Sequence, residues 1–207
     1  MSTVCFIVDA TVTGALLPRH LRSIRESGLA EHVVPIIVTC NQVDERLSSI
    51  EQRYHVHCLI TPSQTLGARI NRAAYVSQAE WVMIALDKQP LAAQLWYLLY
   101  PQLHTLALDA LLISATTPRL SERLLQRFFG ASTAVPPYVA IRRTWFERLG
   151  GFDPELEAPA LQDFLQRLYA CPTRLKTISG EALGLARGSP TRRGTHSPSS
   201  RLPPPSS

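Results

Sequence analysis

Polar residues end three of the apolar runs in this 207-residue chain, and their types suit ligand chemistry. Asp9 closes a run that begins at Thr3, Asn41 follows Val38-Thr39-Cys40, and Asp87 with Lys88 closes Trp81-Val-Met-Ile-Ala-Leu86. If the runs are parallel strands, these groups stand at the carboxyl ends, outside which open α/β sheets bind their ligands. A carboxylate there can hold a ribose hydroxyl or a divalent cation, and an adjacent ammonium can neutralise phosphate.

The elements that must place these residues alternate. Residues 3–8 form a continuous apolar run, as a strand buried on both faces requires. Residues 16–28 carry Leu17, Leu21 and Ile24 at helical spacing, with Gly28 as a C-cap. Strands are predicted at 33–39, 56–60, 81–86, 108–114, 138–141 and 174–178. Helices are predicted at 44–54, 66–77, 91–100, 121–129, 143–149 and 160–169. Strands separated by helices of this length predict an α/β fold with a doubly wound, mostly parallel sheet flanked by helices.

Composition bounds the remaining classes. Hydrophobic residues make up 45% of the chain and charged residues 18%, enough apolar material for a core. Residues 1–180 read as one domain. Residues 181–207 read as a disordered tail of Ser, Pro, Arg, Gly and Thr. Most of the net charge of +5 comes from that tail: without Arg187, Arg192, Arg193 and Arg201, 17 basic residues face 16 acidic ones. The domain is therefore not read as a nucleic-acid binder, although the tail has the charge to meet an acidic partner. No basic region precedes the first apolar run, and no run is long enough to span a bilayer. Cys5, Cys40, Cys58 and Cys171 form no C-x-x-C pair, and the six histidines show no zinc-ligand spacing. A cytoplasmic protein with reduced cysteines is expected.

The stretch Tyr138-Val-Ala-Ile-Arg-Arg-Thr-Trp-Phe-Glu-Arg-Leu-Gly-Gly-Phe-Asp153 carries the most information. It resembles the segment of family 2 glycosyltransferases in which a strand leads to an "RR..F...GGFDE" element beside the acceptor site. Arg69-Ile-Asn-Arg-Ala73 resembles that family's "ARNxG" element, and Trp81 to Asp87 resembles the strand that carries its D-x-D. The resemblance implies a single GT-A-like, Rossmann-like domain over residues 1–180. It places Arg142, Gly150, Gly151 and Phe152 on the acceptor side. Asp9, Asn41, Asn71, Arg72, Asp87 and Lys88 would then bind the nucleotide sugar, with the start of the 66–77 helix facing the phosphates.

The family's acidic positions are altered. Its D-x-D is here Asp87-Lys88-Gln89, so only Asp87 remains to hold Mn or Mg. Lys88 or Arg72 could neutralise a diphosphate without metal. Cys40-Asn41 stands where acids usually hold the nucleoside. Aligning Arg167 with the family's helix arginine puts Ala160-Leu161 at its Glu-Asp pair. Asp163, or secondarily Asp153, is then the candidate general base. The implied activity is transfer of a sugar (a hexosyltransferase type) from a nucleotide-diphosphate donor to an acceptor hydroxyl. The alternative is a degenerate domain that binds sugar or nucleotide, or serves as a protein partner of an active transferase.

Overall fold

The computed structural model describes residues 3–28, 34–62, 64–105, 107–114 and 135–179. The helix expected at 121–129 and the tail from 181 lie outside these residues. The described chain forms β1 (Val4–Asp9), α1 (Ala10–Thr13), α2 (Leu17–Arg25), β2 (Ile36–Cys40), α3 (Arg46–Tyr54), β3 (His57–Ile60) and α4 (Leu66–Ser77). Then come β4 (Trp81–Ala85), α5 (Ala93–Thr105), β5 (Ala110–Ser114), β6 (Tyr138–Arg142), α6 (Arg143–Arg148), α7 (Pro159–Ala170) and β7 (Leu175–Ser179).

The strands form one seven-stranded sheet in the order β3-β2-β1-β4-β6-β5-β7. All pairings are parallel except those of β6, which runs antiparallel to both β4 and β5. β1, β2 and β4 are buried along their whole length, the condition that continuous apolar runs predict. Alternation then divides each strand between two cores. Val4, Phe6 and Val8 face a core shared with Leu21, Ile24, Trp96 and Leu99 of α2 and α5. Cys5 and Ile7 face the other core, with Ile70, Phe146, Phe152 and Phe164. All four cysteines are free thiols.

The helix expected over 16–28 is divided. Asp9 caps α1 through bonds from the Thr11 and Val12 amides, a 3-10 turn spans Gly14–Leu16, and α2 begins with Pro18 in its first turn. α2 ends at Arg25, so Gly28 (φ 76°) belongs to the following turn rather than to the cap.

The Gly-Gly motif organises the face covered by α4, α6 and α7. Gly151 has φ 67°, and a Cβ there would lie 2.5 Å from Asn71 Oδ1. That oxygen accepts from Phe152 N at 2.9 Å, while Asn71 Nδ2 donates to Phe152 O at 2.7 Å. One side-chain amide thus holds both backbone groups of Phe152, whose buried ring stacks on Phe164 at 4.2 Å. Arg167 completes the fixation by donating to the carbonyls of Leu149 and Gly151. Beyond the motif the chain crosses the start of α4, where a Cβ on Gly67 would come within 1.9 Å of Asp153 O.

Gly67→Ala is therefore expected to displace the 153–156 backbone and to lower unfolding free energy by about 1–3 kcal/mol. Urea denaturation of the two proteins, compared at equal m-value, measures the loss.

Candidate functional site

Because β1 and β4 pair in parallel, with Val4 opposite Trp81, their carboxyl ends emerge side by side. A cleft of about 410 Å³ opens there. Thr11 and Val12 of α1 form one wall, and Leu86, Asp87 and Lys88 form a second. Leu66 of α4 and the segment Glu157-Ala158 with Leu161 complete it. Asp87 is half-buried and accepts from its neighbour's backbone, Lys88 N, at 2.6 Å, while Lys88 is exposed. A carboxylate, a mobile ammonium and a second carboxylate, Glu157, thus share one cavity.

Asp9 lies beside this cleft with no capacity left for a ligand. Its Oδ1 accepts from Thr11 N at 2.8 Å and from the Thr11 hydroxyl; its Oδ2 accepts from Thr39 Oγ1 at 2.7 Å and Arg69 Nε at 2.8 Å. Both side chains of the Asp9–Arg69 pair are buried. Arg69 also donates to Gln64 O and Thr11 Oγ1. Asp9 was expected to contact the nucleoside; its carboxylate here holds Arg69 and the α1 turn that forms the cleft wall.

A second buried network fixes the opposite wall. The His20 ring, fully buried on α2, contacts Lys88 O through Nε2 at 2.9 Å. A carbonyl only accepts, so Nε2 carries the proton and Nδ1 accepts from the Tyr138 hydroxyl. Burial lowers the His20 pKa and raises that of Tyr138, which keeps both neutral. Ser23 donates to Leu91 O, so α2 holds the 88–91 loop at two points.

Other expected site residues are placed elsewhere. Asn71 is the clamp on Phe152 described above. Arg72 is exposed on α4, and Asn41 is half-buried in the bend after β2; neither lines the cleft. The start of α4 does not offer its amides to phosphate. Leu66 N donates to Glu157 Oε2 at 3.2 Å, Gly67 N to Leu156 O, and Ala68 N to Thr65 Oγ1. Arg142 is at the wrong end of the sheet, because antiparallel β6 brings it opposite Trp81 at the start of β4. There it donates to Leu108 O and Glu80 and lies over the Trp81 ring. Gly150, Gly151 and Phe152 do not line the cleft either.

Neither expected base reaches the cavity. Asp163 Oδ2 accepts from Arg167 Nε at 2.9 Å and orients the arginine that holds the Gly-Gly turn. On α7 it lies two residues, about 200° of helical turn, from the cleft residue Leu161. Asp153 Oδ1 accepts from Glu155 N within its own turn. Glu157, a carboxylate that does line the cavity, was not singled out in the sequence. Its signal was Pro159, which opens α7 and leaves Glu157 as a loop residue just before a helix.

No protein-family model matches the sequence, and no curated protein sequence matches it. Solved structures do. TarS from S. aureus (residues 1–349) superposes with TM-score 0.67 and 16% identity over 85% of this chain and 58% of its own. Mannosyltransferase PcManGT from Pyrobaculum calidifontis, in complex with GDP-Man and Mn2+, gives TM-score 0.61 and 18% identity. That match covers 86% of this chain and 55% of PcManGT. Glucosyl-3-phosphoglycerate synthase from Mycobacterium tuberculosis, in complex with Mn2+, UDP and phosphoglyceric acid, gives TM-score 0.60 and 13% identity. The match spans 86% of this chain and 68% of the synthase. The chain has the GT-A glycosyltransferase fold. It spans little more than half the length of TarS 1–349 and of PcManGT. Among the described residues of this GT-A domain, no three His, Cys, Asp or Glu side chains cluster as a metal cage, and no helix is long and apolar enough to cross a membrane.

Two outcomes test these assignments. Asp9→Asn strands the Arg69 charge in the interior and should cost about 3–5 kcal/mol in denaturant unfolding. For His20, the folded pKa lies below the unfolded value, so acidification protonates the unfolded chain first. Stability is expected to fall as pH drops below about 6.5. His20→Gln, which keeps a donor but does not titrate, should flatten the dependence of Tm on pH between 7 and 5 (a range spanning that value).

Proposed function

We propose that the cleft binds the diphosphate of a nucleotide sugar and that the protein transfers the sugar to an acceptor hydroxyl. The observation that carries this reading is the meeting of Asp87, Lys88 and Glu157 in one cavity at the carboxyl ends of β1 and β4 in a GT-A sheet. Structural neighbours solved with UDP-GlcNAc and with GDP-Man support it.

In this reading Glu157 takes the proton of the acceptor hydroxyl. The oxygen then attacks the anomeric carbon while the bond to the diphosphate breaks. Leu66 N holds Glu157 Oε2, which orients the carboxylate and leaves Oε1 for the acceptor. Lys88 stabilises the leaving diphosphate as a mobile cation. Hydroxyl-bearing Thr61 and the Gln64 carboxamide follow β3, and Thr61 Oγ1 and Gln64 Oε1 are buried without a partner. The Gln64 backbone carbonyl accepts from Arg69, which also donates to Thr11 of the cleft wall, but neither Thr61 nor Gln64 lines the cleft. A Mn2+ or Mg2+ arriving with the nucleotide would be held by Asp87, since such ions often take one carboxylate and the substrate phosphates. It would add charge neutralisation to that of Lys88.

A second reading, binding without turnover, is favoured by one fact: both Asp153 and Asp163 are engaged in structural bonds. Thermal shift and nucleoside-diphosphate release with a panel of UDP- and GDP-sugars, with and without Mn2+, separate the two. Transfer predicts release that falls at least about 100-fold in Glu157→Gln, as loss of a general base does, with nucleotide binding retained. Lys88→Ala should weaken UDP or GDP binding. Stabilisation without release would support the binding reading, and no binding of any nucleotide would sink both.

A further inference from the structure

A second cavity lies on the same face of the sheet as α4, toward the other end of the strands. It measures about 330 Å³ and shares no lining residue with the cleft. Val82, the second residue of β4, and Phe146 of α6 line it, together with Ala74 and the backbone of Gly150-Gly151. Tyr75 also lines it and is 74% exposed. The Gly150 backbone, held at φ 80°, leaves open space where a side chain would project. The volume falls in the range of small-ligand pockets and exceeds what one ordered water would fill.

The polar groups of this cavity narrow the ligand. Asn71 is committed to Phe152. Arg143 is committed to the end of α4: Nε donates to Ala79 O at 3.0 Å, and Nη2 donates to Ala74 O and Ser77 Oγ. Its remaining nitrogen, Nη1, lies 3.6 Å from Glu147 Oε1. The arginine charge is thus matched within the pocket, and an anionic ligand would meet the Glu147 carboxylate. Glu147 has a side chain 62% exposed and a loose ion pair, so it keeps acceptor capacity at the rim. The pocket therefore offers one exposed aromatic ring, Tyr75, over a floor of buried Phe146, Val82 and Ala74, and a carboxylate that seeks donors, with no net charge.

We propose that this α4–α6 pocket is a carbohydrate-binding site, separate from the cleft, for a neutral pyranose residue. The C–H face of the ring packs against Tyr75, with Val82 and Phe146 beneath, and ring hydroxyls donate to Glu147. A neutral sugar satisfies the carboxylate and covers the aromatic surface at once; a purely apolar ligand does only the second. The site does not depend on nucleotide binding in the cleft. It gives the domain a second point at which a saccharide chain is held.

The test uses the full chain and three probes: methyl α-glucopyranoside, methyl α-mannopyranoside and methyl N-acetyl-β-glucosaminide. Their binding is followed by chemical-shift changes in nitrogen-labelled protein. At least one probe should bind with a Kd on the order of 1–10 mM, the range of a single small contact, moving Tyr75, Gly150 and Gly151. Tyr75→Ala and Glu147→Gln, both surface changes, should each weaken it about tenfold, the equivalent of one lost contact. Lys88→Ala, which alters only the cleft, should leave it within about twofold, less than half that step in free energy. No shift at about 50 mM, well above the expected Kd, overturns the proposal. So do shifts confined to cleft residues, or affinity indifferent to both pocket variants. Binding of indole in the pocket with no sugar bound would show a site for apolar ligands instead. If the glycosides bind here while no nucleotide binds the cleft, the proposed transfer falls and this site stands.

Discussion

The rim of the sheet that carries the cleft depends on a carboxylate and a guanidinium buried together. Asp9 ends β1 and Arg69 lies in the first turns of α4, sixty positions later. Two charges removed from water need near-complete hydrogen bonding to persist, and the side chains of Thr11 and Thr39, the α1 amides and Gln64 O supply it. The partners come from three pieces of the rim: β2 through Thr39, α1 through Thr11 and Val12, the loop after β3 through Gln64. The pair therefore works as a register pin. It forms only when β1, β2, α1 and α4 are all in place, and it fixes the cleft wall that α1 provides.

This arrangement explains why the fold was legible in the sequence while much of the site was not. The central strands were legible because burial on both faces demands continuous apolar runs, as at 81–86 and 138–141. α4 and α7 were legible from their helical spacing. Site roles depend on what stands opposite a side chain, and sequence carries no such information. Asp9 was recognised as a residue at a strand end, but its partner lies in another element. Arg142 was read as part of a motif, yet one antiparallel strand puts it at the far end of the sheet. Asp87 and Lys88 line the cleft because the strand end alone decides their position.

The motif that pointed to the fold serves the fold. Gly150, Gly151 and Phe152 exist in this conformation because Asn71, Arg167 and the aromatic cluster need them there. Gly67 and Gly151 are both closed to a side chain by direct contact with neighbouring groups. Such contacts restrict these positions to glycine through packing alone, with no part in catalysis required. Asp163 belongs to the same category, since it orients Arg167 and Arg167 holds the turn.

What the motif does for the cleft is indirect and physical. By fixing Phe152 and passing over Gly67, it delivers residues 154–157 to the start of α4, where unpaired amides and the positive end of the helix dipole attract an anion. Glu157 and Leu156 O meet that demand. The helix end that would otherwise receive phosphate instead fixes a carboxylate at the edge of the cavity. In the proposed transfer, charge neutralisation of the diphosphate rests on Lys88, whose backbone is tied to α2 by His20. The cleft is consequently asymmetric: a fixed carboxylate on the α4 side faces a mobile ammonium on the β4 side. In the proposed transfer the two groups have separate tasks, the Lys88 ammonium on the leaving diphosphate and the Glu157 carboxylate on the acceptor hydroxyl.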